Sequence, residues 1–460
     1  MKTYQDLLDV GKDETKRKAF VRALISEHES SDDYKIASDA YEYYCHRNVT
    51  IRDFQKLLYT VSGTVVPDNF SADYKLACNH FKRFITQEVG HLLGNGINWN
   101  NEATEGKLGK DHKSIDRQAK KAATAALWGK VAFGYYDNDH VEVFDYLEFV
   151  PIFDELDGSL KAGVRYWRID KSKPLRATLY ELDGFTKYVW GSKTAQDEPK
   201  RKYKRVVGIS EADGEEIYDE MNYPSFPIIP LWANEEHQSQ LVGLREQIDC
   251  YDLIKSGFAN TVDEASIVYW TITNAGGMDD VDLSKFVERM RKVHAYAVED
   301  DNARAESHQM DAPWESREKL LDRLDKDLYK DAMALDTERI AGGAVTATQI
   351  VAAYEDLNTK CDDFEYQIID WLEGLMRVAG VDDEPTFTRS QIVNRDELIQ
   401  VLLQSAQYLS TEYVTKKLLT LLGDADAIDE VLGQMDEEDY ARFNEPEEPP
   451  EEEPEEPIEE

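Results

Sequence analysis

The pattern of apolar and polar positions divides the chain into a helical first part, a strand-rich middle and a helical last part. Apolar side chains recur every three or four residues over 13–45, 70–94 and 111–129, which is typical of amphipathic helices. Between about 131 and 232 the chain is rich in Val, Tyr, Phe, Thr and Trp with frequent turn residues, which predicts strands and hairpins. We therefore expect an α+β fold that is predominantly helical.

The second half of the chain predicts long helices around a small insert. Helical spacing runs over 239–266 and again over the highly charged stretch 314–336. The insert between them, residues 267–313, has the pattern of a strand, a short helix and a second strand, with HAYAVED at 294–300 as that second strand. A third apolar seam indicates a helix over 346–380, and helical segments continue from about 394 to 442.

The stretch AGGAVTATQI at 341–350 lies between two of these helices. Its adjacent glycines could hold a phosphate, form a flexible turn, or break a long helix so that its tip projects. Thr346 and Gln349 fit a capping box, with Val345 and Ile350 at the positions of a hydrophobic staple, so a helix should restart there. A Walker A phosphate loop is excluded because it requires GxxxxGK[ST], which no glycine of this chain satisfies.

The chain is strongly acidic, with 92 Asp and Glu against 53 Lys and Arg and a formal net charge of −39. Tight nucleic-acid binding depends on clustered basic residues, so this composition argues against it, although DNA could still pass without being gripped. The run KRKYKR at 200–205 resembles a nucleic-acid patch, but lysines also protect the exposed edges of hairpins, and we favour the hairpin. The Pro/Glu tail at 443–460 should be disordered.

No pattern of catalytic or metal-binding residues is present. The four cysteines lie far apart, the nine histidines show no zinc spacing, and no GxSxG nucleophile motif occurs. We therefore expect no catalytic residue, no metal and no cofactor. The chain also lacks an apolar segment of membrane-spanning or secretory type, so we expect a soluble protein with no membrane partner.

The order of these elements resembles the portal proteins of tailed phages of the siphovirus type, which form the ring at the capsid vertex through which DNA enters. The stretches that carry the resemblance are YEYYCHRN at 41–48, LLGNGINW at 92–99, the proline-rich approach FPIIPLWAN followed by IDCYD at 248–252, AGGAVTATQI at 341–350 and FTRSQIVNRDELI at 387–399. None of them is an enzyme signature, and the specificity lies in their order.

The resemblance implies a division of the chain into the parts of a portal subunit. These are the wing at 1–238, a first stem helix at 239–266, the clip at 267–313, a second stem helix at 314–336, a tunnel loop at 337–345, the long wing helix at 346–389 and the crown at 390–442. The DNA-facing residues of the tunnel loop would be Arg339, Ala341, Gly342, Gly343, Ala344 and Val345. On the stem, Lys255, Arg323, Lys326 and Lys330 either face DNA or belong to ordinary solvated helix surfaces.

The resemblance also implies partners. The chain would assemble with itself into a ring, dodecameric in the family, around double-stranded DNA in transit that it contacts without sequence specificity. It would also contact the terminase, a head–tail adaptor, and the major capsid and scaffolding proteins, in a virion assembled from protein made in the bacterial cytoplasm. The alternative is an intracellular scaffold or adaptor that binds proteins through its helices and acidic tail.

Overall fold

The computed structural model describes residues 2–59, 64–68, 71–109, 111–192, 196–209, 216–265, 269–273, 304–308, 314–338, 347–390, 395–422, 428, 431–433 and 435. The chain divides into two compact units, one formed by Met1–Asp336 with Glu355–Ser390, the other by Thr337–Tyr354 with Gln391–Glu460. The architecture mixes helices with β-sheets, in agreement with the expected class.

Seven helices are present among the described residues in the first part of the first unit. They are α1 (Tyr4–Val10), α2 (Glu14–Ser30), α3 (Asp32–Tyr44), α4 (Val49–Asp53), α5 (His80–Leu93), α6 (Glu102–Leu108) and α7 (Ile115–Gly129), with a 3₁₀ turn at Asp111–Lys113 before α7. The two helices expected over 13–45 are confirmed as α2 and α3. Ser31 separates them, because its hydroxyl oxygen accepts the Tyr34 N–H at 3.2 Å and so caps α3.

The helix expected over 70–94 is wrong at its start. It begins only at His80, and residues 71–79 are not helical. Two short strands, β1 (Leu57–Tyr59) and β2 (Val65–Pro67), pair antiparallel before this segment. The physical reason that 71–79 stays extended is a set of hydrogen bonds to another helix, described with the candidate site below.

The strand-rich middle is confirmed as two antiparallel sheets. A five-stranded sheet has the order β10-β9-β8-β7-β6, and a three-stranded sheet has the order β13-β4-β5. The strands are β4 (Val131–Asp137), β5 (His140–Asp145), β6 (Phe149–Phe153), β7 (Leu160–Trp167), β8 (Leu175–Glu181), β9 (Gly184–Trp190), β10 (Glu198–Arg201) and β13 (Ile228–Trp232). Two-stranded pairs join β11 (Lys204–Ile209) to β12 (Glu216–Met221) and β3 (Ile97–Asn98) to β16 (Thr386–Phe387).

One hydrophobic core lies between the first helices and the five-stranded sheet. From α2, Val21, Leu24 and Ile25 pack on the sheet residues Val150 and Val164 within one buried cluster. The alternation of apolar side chains along the strands places these residues on the same face, which α1 and α2 cover. The opposite face of this sheet is also largely buried, because Phe149 packs against Phe133 and Phe144 of the three-stranded sheet.

A second core joins α7 to the three-stranded sheet. The buried face of α7 is made largely of alanines, which let the helix backbone approach β4 and β5 closely. Trp371 reaches this sheet from a later helix and is fully buried. A Cβ added at Gly134 of β4 would lie 2.6 Å from the Trp371 Nε1 atom, so only glycine leaves room for the indole.

Long helices follow in the described residues, and two of them have bounds that correct the expected ones. They are α8 (Arg245–Ala265), α9 (Trp314–Asp331) and α10 (Ala347–Ala379). The helix expected over 239–266 begins later because Gly243 has a φ of +90°. The helix expected over 314–336 ends early, since Met333 adopts a φ of +50°, and the Ala334 N–H closes the last turn on the Tyr329 carbonyl. The helix expected over 346–380 is confirmed as α10, apart from Thr346, which lies outside the described residues.

Between α8 and α9, strand β14 (Tyr269–Thr273) pairs antiparallel with β15 (Arg304–His308). The first strand matches the expected one. The short helix expected in the middle of the insert and the strand expected at 294–300 both lie outside the described residues. In the second unit, α11 (Arg395–Ser405) and α12 (Thr411–Leu422) agree with the helical segments expected after 394, and the acidic tail at 443–460 lies outside the described residues.

Replacing Gly134 with Ala should destabilise the protein by about 1–3 kcal/mol, because the added methyl group overpacks against the buried indole of Trp371. Gly90→Ala is the matched control: Gly90 is exposed in α5, no atom lies within 4 Å of the added Cβ, and the change should stabilise by up to about 1 kcal/mol. Thermal unfolding followed by circular dichroism measures both. Equal melting temperatures for the two variants would contradict the close contact.

Candidate functional site

Helices α8 and α9 form an antiparallel pair. Near the start of α9 the Trp314 ring meets Phe258 of α8 at 5.2 Å, and the Arg317 guanidinium donates to the Thr261 hydroxyl at 2.7 Å. At the other end Gln247 of α8 donates to the Asp331 carboxylate. Since the β14–β15 strand pair follows α8 and precedes α9 in the chain, this arrangement is a helical hairpin with a small insert at its far end.

A row of polar side chains on α8 binds the backbone of residues 74–78. Asp252, Ser256 and Asn260 follow one another at intervals of four residues, and all three are buried. Each accepts a hydrogen bond from a backbone amide. The bonds run from Cys78 N–H to Asp252 Oδ1 at 2.7 Å, from Leu76 N–H to Ser256 Oγ at 2.9 Å, and from Tyr74 N–H to Asn260 Oδ1 at 2.7 Å. We call this row the polar ladder.

The polar ladder works because two structural periods nearly coincide. Four residues of helix advance about 6 Å, and two residues of extended chain advance about 6.6 Å, so acceptor and donor stay in step over three rungs. Backbone amides withdrawn from water need partners, and these three amides find theirs on α8 instead of within a helix of their own. The apolar pattern of 70–94 gave no sign of this, but the spacing of Asp252, Ser256 and Asn260 was a usable signal.

Asp252 is the most connected rung. The Asn48 amide donates to Asp252 Oδ2 at 2.5 Å and to the Cys78 carbonyl at 3.2 Å, which ties α4 into the same cluster. Burial raises the pKa of Asp252, and the hydrogen bonds from Asn48 and Cys78 oppose that rise. Burial, together with the Asp252 charge, raises the pKa of the Cys78 thiol to about 12, so this thiol stays protonated at neutral pH and is a poor nucleophile.

Helix α5 holds the other helix of the pair through one face. His80 Nε2 lies 2.7 Å from Asp325 Oδ1, and Phe84 packs edge-on against Tyr329 at 5.3 Å. One turn further, the Gln87 side chain donates to the Leu335 carbonyl and accepts the Leu335 N–H, both at 2.9 Å. This two-bond clamp fixes the backbone two residues before the expected tunnel loop begins at 337.

A buried ionic network joins α5 to α10. Glu88 is 1% exposed, and its carboxylate lies 2.8 Å from the Lys360 ammonium and 2.8 Å from the Gln240 side-chain nitrogen. Lys360 also donates to the Ala332 carbonyl at 3.1 Å, directly after the end of α9. Removing either partner of such a pair leaves an uncompensated buried charge, so the network makes the relative position of α5, α9 and this part of α10 specific.

Three of the four expected stem residues lie on one exposed face of α9. Lys319, Arg323, Lys326 and Lys330 follow one another at spacings of four, three and four, which places them in a single basic stripe. Arg323 pairs with Asp327 at 2.8 Å and Lys319 with Glu315 at 3.6 Å. Lys326 and Lys330 make no ion pair within the described part of the chain. The fourth expected residue, Lys255, belongs to α8 and lies half-buried with its ammonium 5.6 Å from the Tyr251 ring.

The expected tunnel-loop residues cannot be placed. Arg339, Ala341, Gly342, Gly343, Ala344 and Val345, together with the cap residue Thr346, lie outside the described residues. Gln349, the other half of the expected capping box, is exposed in the first turn of α10. The capping box therefore stays a prediction.

The basic run at 200–205 begins at the edge of the five-stranded sheet and continues into β11 of the β11–β12 pair, as the hairpin interpretation proposed. Strand β10 is the edge strand, and Lys200 pairs with Glu181 at 2.9 Å. Tyr203 is buried, and its hydroxyl donates to the Glu181 carbonyl at 2.5 Å. The aromatic ring that resembled a base-stacking residue is therefore part of the core.

Sequence reasoning missed one cluster of metal-ligand type. Asp137, His140 and Glu142 on the β4–β5 hairpin bring three ligand atoms within 4.8 Å of one another. Both imidazole nitrogens are already engaged, because Nδ1 lies 2.9 Å from Asp139 and Nε2 lies 2.8 Å from the Lys113 ammonium. A neighbouring ammonium opposes a bound cation, so the geometry suits a hairpin hydrogen-bond network better than a metal.

No helix among the described residues combines the length and the apolar character needed to cross a bilayer.

Comparison with known protein families decides the identity. The family model described as "Phage portal protein, SPP1 Gp6-like" matches residues 25–441. The chain belongs to this portal protein family. The match includes the helical hairpin, the polar ladder and the described part of α10, so these features belong to the portal subunit.

Two curated portal proteins are similar to this chain. The portal protein of Clostridium phage phiCD119 is 23% identical over 283 residues, which cover 58% of this chain and 60% of that protein. The portal protein of Bacillus phage SPP1 is 30% identical over 194 residues, which cover 39% of this chain and 38% of that protein. The chain thus spans three fifths or less of the length of these relatives.

Among solved structures, one similar chain comes from the neck of a native GTA particle computed with C12 symmetry. It is 11% identical to this chain, with a TM-score of 0.44, and the match covers 74% of this chain and 89% of that one. A chain from the virion of a native gene transfer agent particle is 12% identical, with coverage of 74% and 89% and a TM-score of 0.43.

Asp252→Ala should lower the free energy of unfolding of this portal protein by about 1–3 kcal/mol, since it leaves the buried Cys78 N–H without an acceptor. Glu246→Ala, at an exposed position of the same helix, should change it by less than about 0.5 kcal/mol. Urea unfolding of both variants under identical conditions measures the difference. If Asp252→Ala matched the control, the polar ladder would contribute nothing to stability.

Proposed function

We propose that copies of this chain close into a portal ring, through which double-stranded DNA enters the capsid during packaging and leaves it during ejection. The observation that carries this proposal is the family match over 25–441, which includes almost every described element. The helical hairpin supports it, because two long antiparallel helices with a strand pair between them in the chain are what the family resemblance implies for the stem and clip.

The parts of the subunit follow from this proposal. Helix α8 is the first stem helix within 239–266, α9 is the second within 314–336, and the β14–β15 pair belongs to the clip at 267–313. Residues 1–238 and 346–389 form the wing, 337–345 the tunnel loop and 390–442 the crown. The support for the stem is the antiparallel packing of α8 on α9 and the position of a strand pair between them in the chain.

The charge of the chain suits a channel that DNA must slide through. Binding of basic residues to phosphates releases counterions and holds DNA in place, so a wall with a net charge of −39 per subunit lowers friction. Limited contacts with the backbone of DNA then come from two places. One is the C-terminal end of the basic stripe, with Lys326 and Lys330. The other is the tunnel loop, with Arg339 and the small residues 341–345. The Gln87 clamp on Leu335 holds the base of that loop.

The chain supplies no catalytic step in this proposal. The energy for translocation comes from the terminase, which together with a head–tail adaptor contacts the clip, while the capsid and scaffolding proteins contact the wing. Twelve subunits per ring is the expected number. The alternative, a scaffold or adaptor that binds proteins through its helices, is distinguished by its assembly state, because it would remain a monomer or a small oligomer.

The purified protein should form a closed ring with a central hole. Multi-angle light scattering should give a mass many times the 52.8 kDa of one chain, and negative-stain images should show one ring size or a few related sizes. Measurements at several salt concentrations serve as the control, because copies of a strongly acidic chain repel one another less when salt screens them. A protein that stays monomeric at micromolar concentration under all these conditions would count against a portal.

A double change of Gly342→Pro and Gly343→Pro should leave ring assembly intact and reduce DNA packaging in a reconstituted motor, because proline restricts the backbone of the tunnel loop. Gly342→Ala with Gly343→Ala is the matched control, which restricts the backbone less and should package more. Rings that package normally would make residues 337–345 a simple connector. Failure of the ring itself would show that the loop has a structural role instead.

A further inference from the structure

Strand β7 carries two turns of opposite charge at its two ends. The turn before it, residues 154–157 with the sequence DELD, holds three acids, and we call it the acidic turn. The turn after it, residues 168–173 with the sequence RIDKSK, holds three basic residues and one acid, a net charge of 3 − 1 = +2, and we call it the basic turn. Each turn exposes a large aliphatic side chain: Leu156 is 96% exposed and Ile169 is 87% exposed.

Both turns are held in defined conformations by their own hydrogen bonds. In the acidic turn, Asp154 Oδ1 accepts the Leu156 N–H at 2.9 Å. In the basic turn, Asp170 Oδ1 accepts the Ser172 N–H at 2.8 Å, and the Asp170 carbonyl accepts the Lys173 N–H at 2.9 Å. The exposed side chains therefore project from preformed loops, which lowers the entropy lost when a partner binds them.

An apolar groove lies beside the acidic turn and at the opposite end of β7 from the basic turn. Its volume is about 620 Å³, and Phe153 and Leu160, which flank the acidic turn, both line it. Further apolar lining includes Phe226, Ile229, Pro230 and Trp232. The Phe153 and Trp232 rings stack at 6.2 Å and form one wall. We call this cavity the β6–β7 groove.

Ile169 cannot enter the β6–β7 groove of its own chain. Strand β7 has eight residues, and an extended strand of that length spans about 26 Å between the groove at one end and the basic turn at the other. Any contact between the two ends must therefore join different copies of the chain. Such a contact is head-to-tail, the arrangement that generates rings when the rotation between copies closes.

We propose that the basic turn of one copy docks on the acidic turn of the next, with Ile169 seated in the β6–β7 groove. This interface rests on the proposed ring and names one of the surfaces that close it. The occupant of the groove is thus a second copy of this chain. Two features favour it: the turns carry opposite charge, and they lie at opposite ends of one strand.

The charges on the basic turn are available for this contact. Arg168, Lys171 and Lys173 are exposed, and none of them forms an ion pair with a residue in the described ranges. On the acidic turn, Asp157 pairs with the half-exposed Lys161 at 3.1 Å, and Glu155 accepts a bond from the Thr3 hydroxyl at 2.5 Å. Because whole copies carry −39 each and repel, a local site of attraction decides where they meet.

Charge reversal on each turn tests the interface. One variant carries Lys171→Glu and Lys173→Glu, and a second carries Glu155→Lys and Asp157→Lys. Each alone should raise the concentration needed for half-assembly by about tenfold or more, because like charges then face each other. Mixed in equal amounts, the two variants should restore rings of alternating copies, since each reversed turn now meets its complement. Lys12→Glu with Lys16→Glu is the matched control and should assemble normally, since these exposed basic residues lie in the turn between α1 and α2 and in the first turn of α2.

Sedimentation velocity measures assembly, and circular dichroism verifies that each variant is folded. Ile169→Ser removes the apolar tip without a charge change at an 87% exposed position, so it should fold, weaken assembly and gain nothing from mixing. Folded reversal variants that form rings like the unchanged chain, or that fail to recover when mixed, would overturn the interface while leaving the portal function in place. An unchanged chain that forms no ring would overturn the proposed function and this interface with it.

Discussion

The attachment of α8 to residues 74–78 is the constraint on which the helical hairpin depends. Apolar packing is non-directional and tolerates sliding along a helix axis, whereas the polar ladder sets α8 at one axial position against a fixed piece of backbone. The rungs lie between Asp252 and Asn260 of this 21-residue helix, so they fix its axial position over several turns.

Helix α5 extends the same principle to the other long helices. Its face alternates apolar and polar contacts: Phe84 packs on α9, Gln87 binds backbone, and Glu88 meets Lys360 of α10. The apolar contact contributes most of the burial, and the polar contacts select one register. Two helices that are distant in sequence, α9 and α10, are thereby brought to one short segment of chain, fourteen residues long.

The sequence predicted the elements well where one apolar period dominates, and poorly where polar groups set the structure. The helices α2, α3 and α10 and the strand-rich middle follow from periodicity alone. The extended segment 71–79 does not, because its conformation is set by hydrogen-bond acceptors on α8. These lie far away in the sequence: Asp252, which accepts the Cys78 N–H, is 174 residues further along the chain. The ends of α8 and α9 were also misplaced, since Gly243 and Met333 end the helical geometry through their φ angles. Helical spacing was enough to place three of the four expected stem residues on one face of α9. Whether that face contacts DNA depends on the assembled ring, which the sequence of one subunit does not specify.

The contact between Gly134 and Trp371 has a consequence for how sequences of this family can diverge. The two positions lie on different elements, β4 and α10, and share one space in which only one of them can be large. A relative with a side chain at the first position must therefore carry a smaller residue at the second, and a change at either site alone passes through a strained intermediate. At identities of 23% and 30%, where most positions have changed, such a pair should change together or not at all.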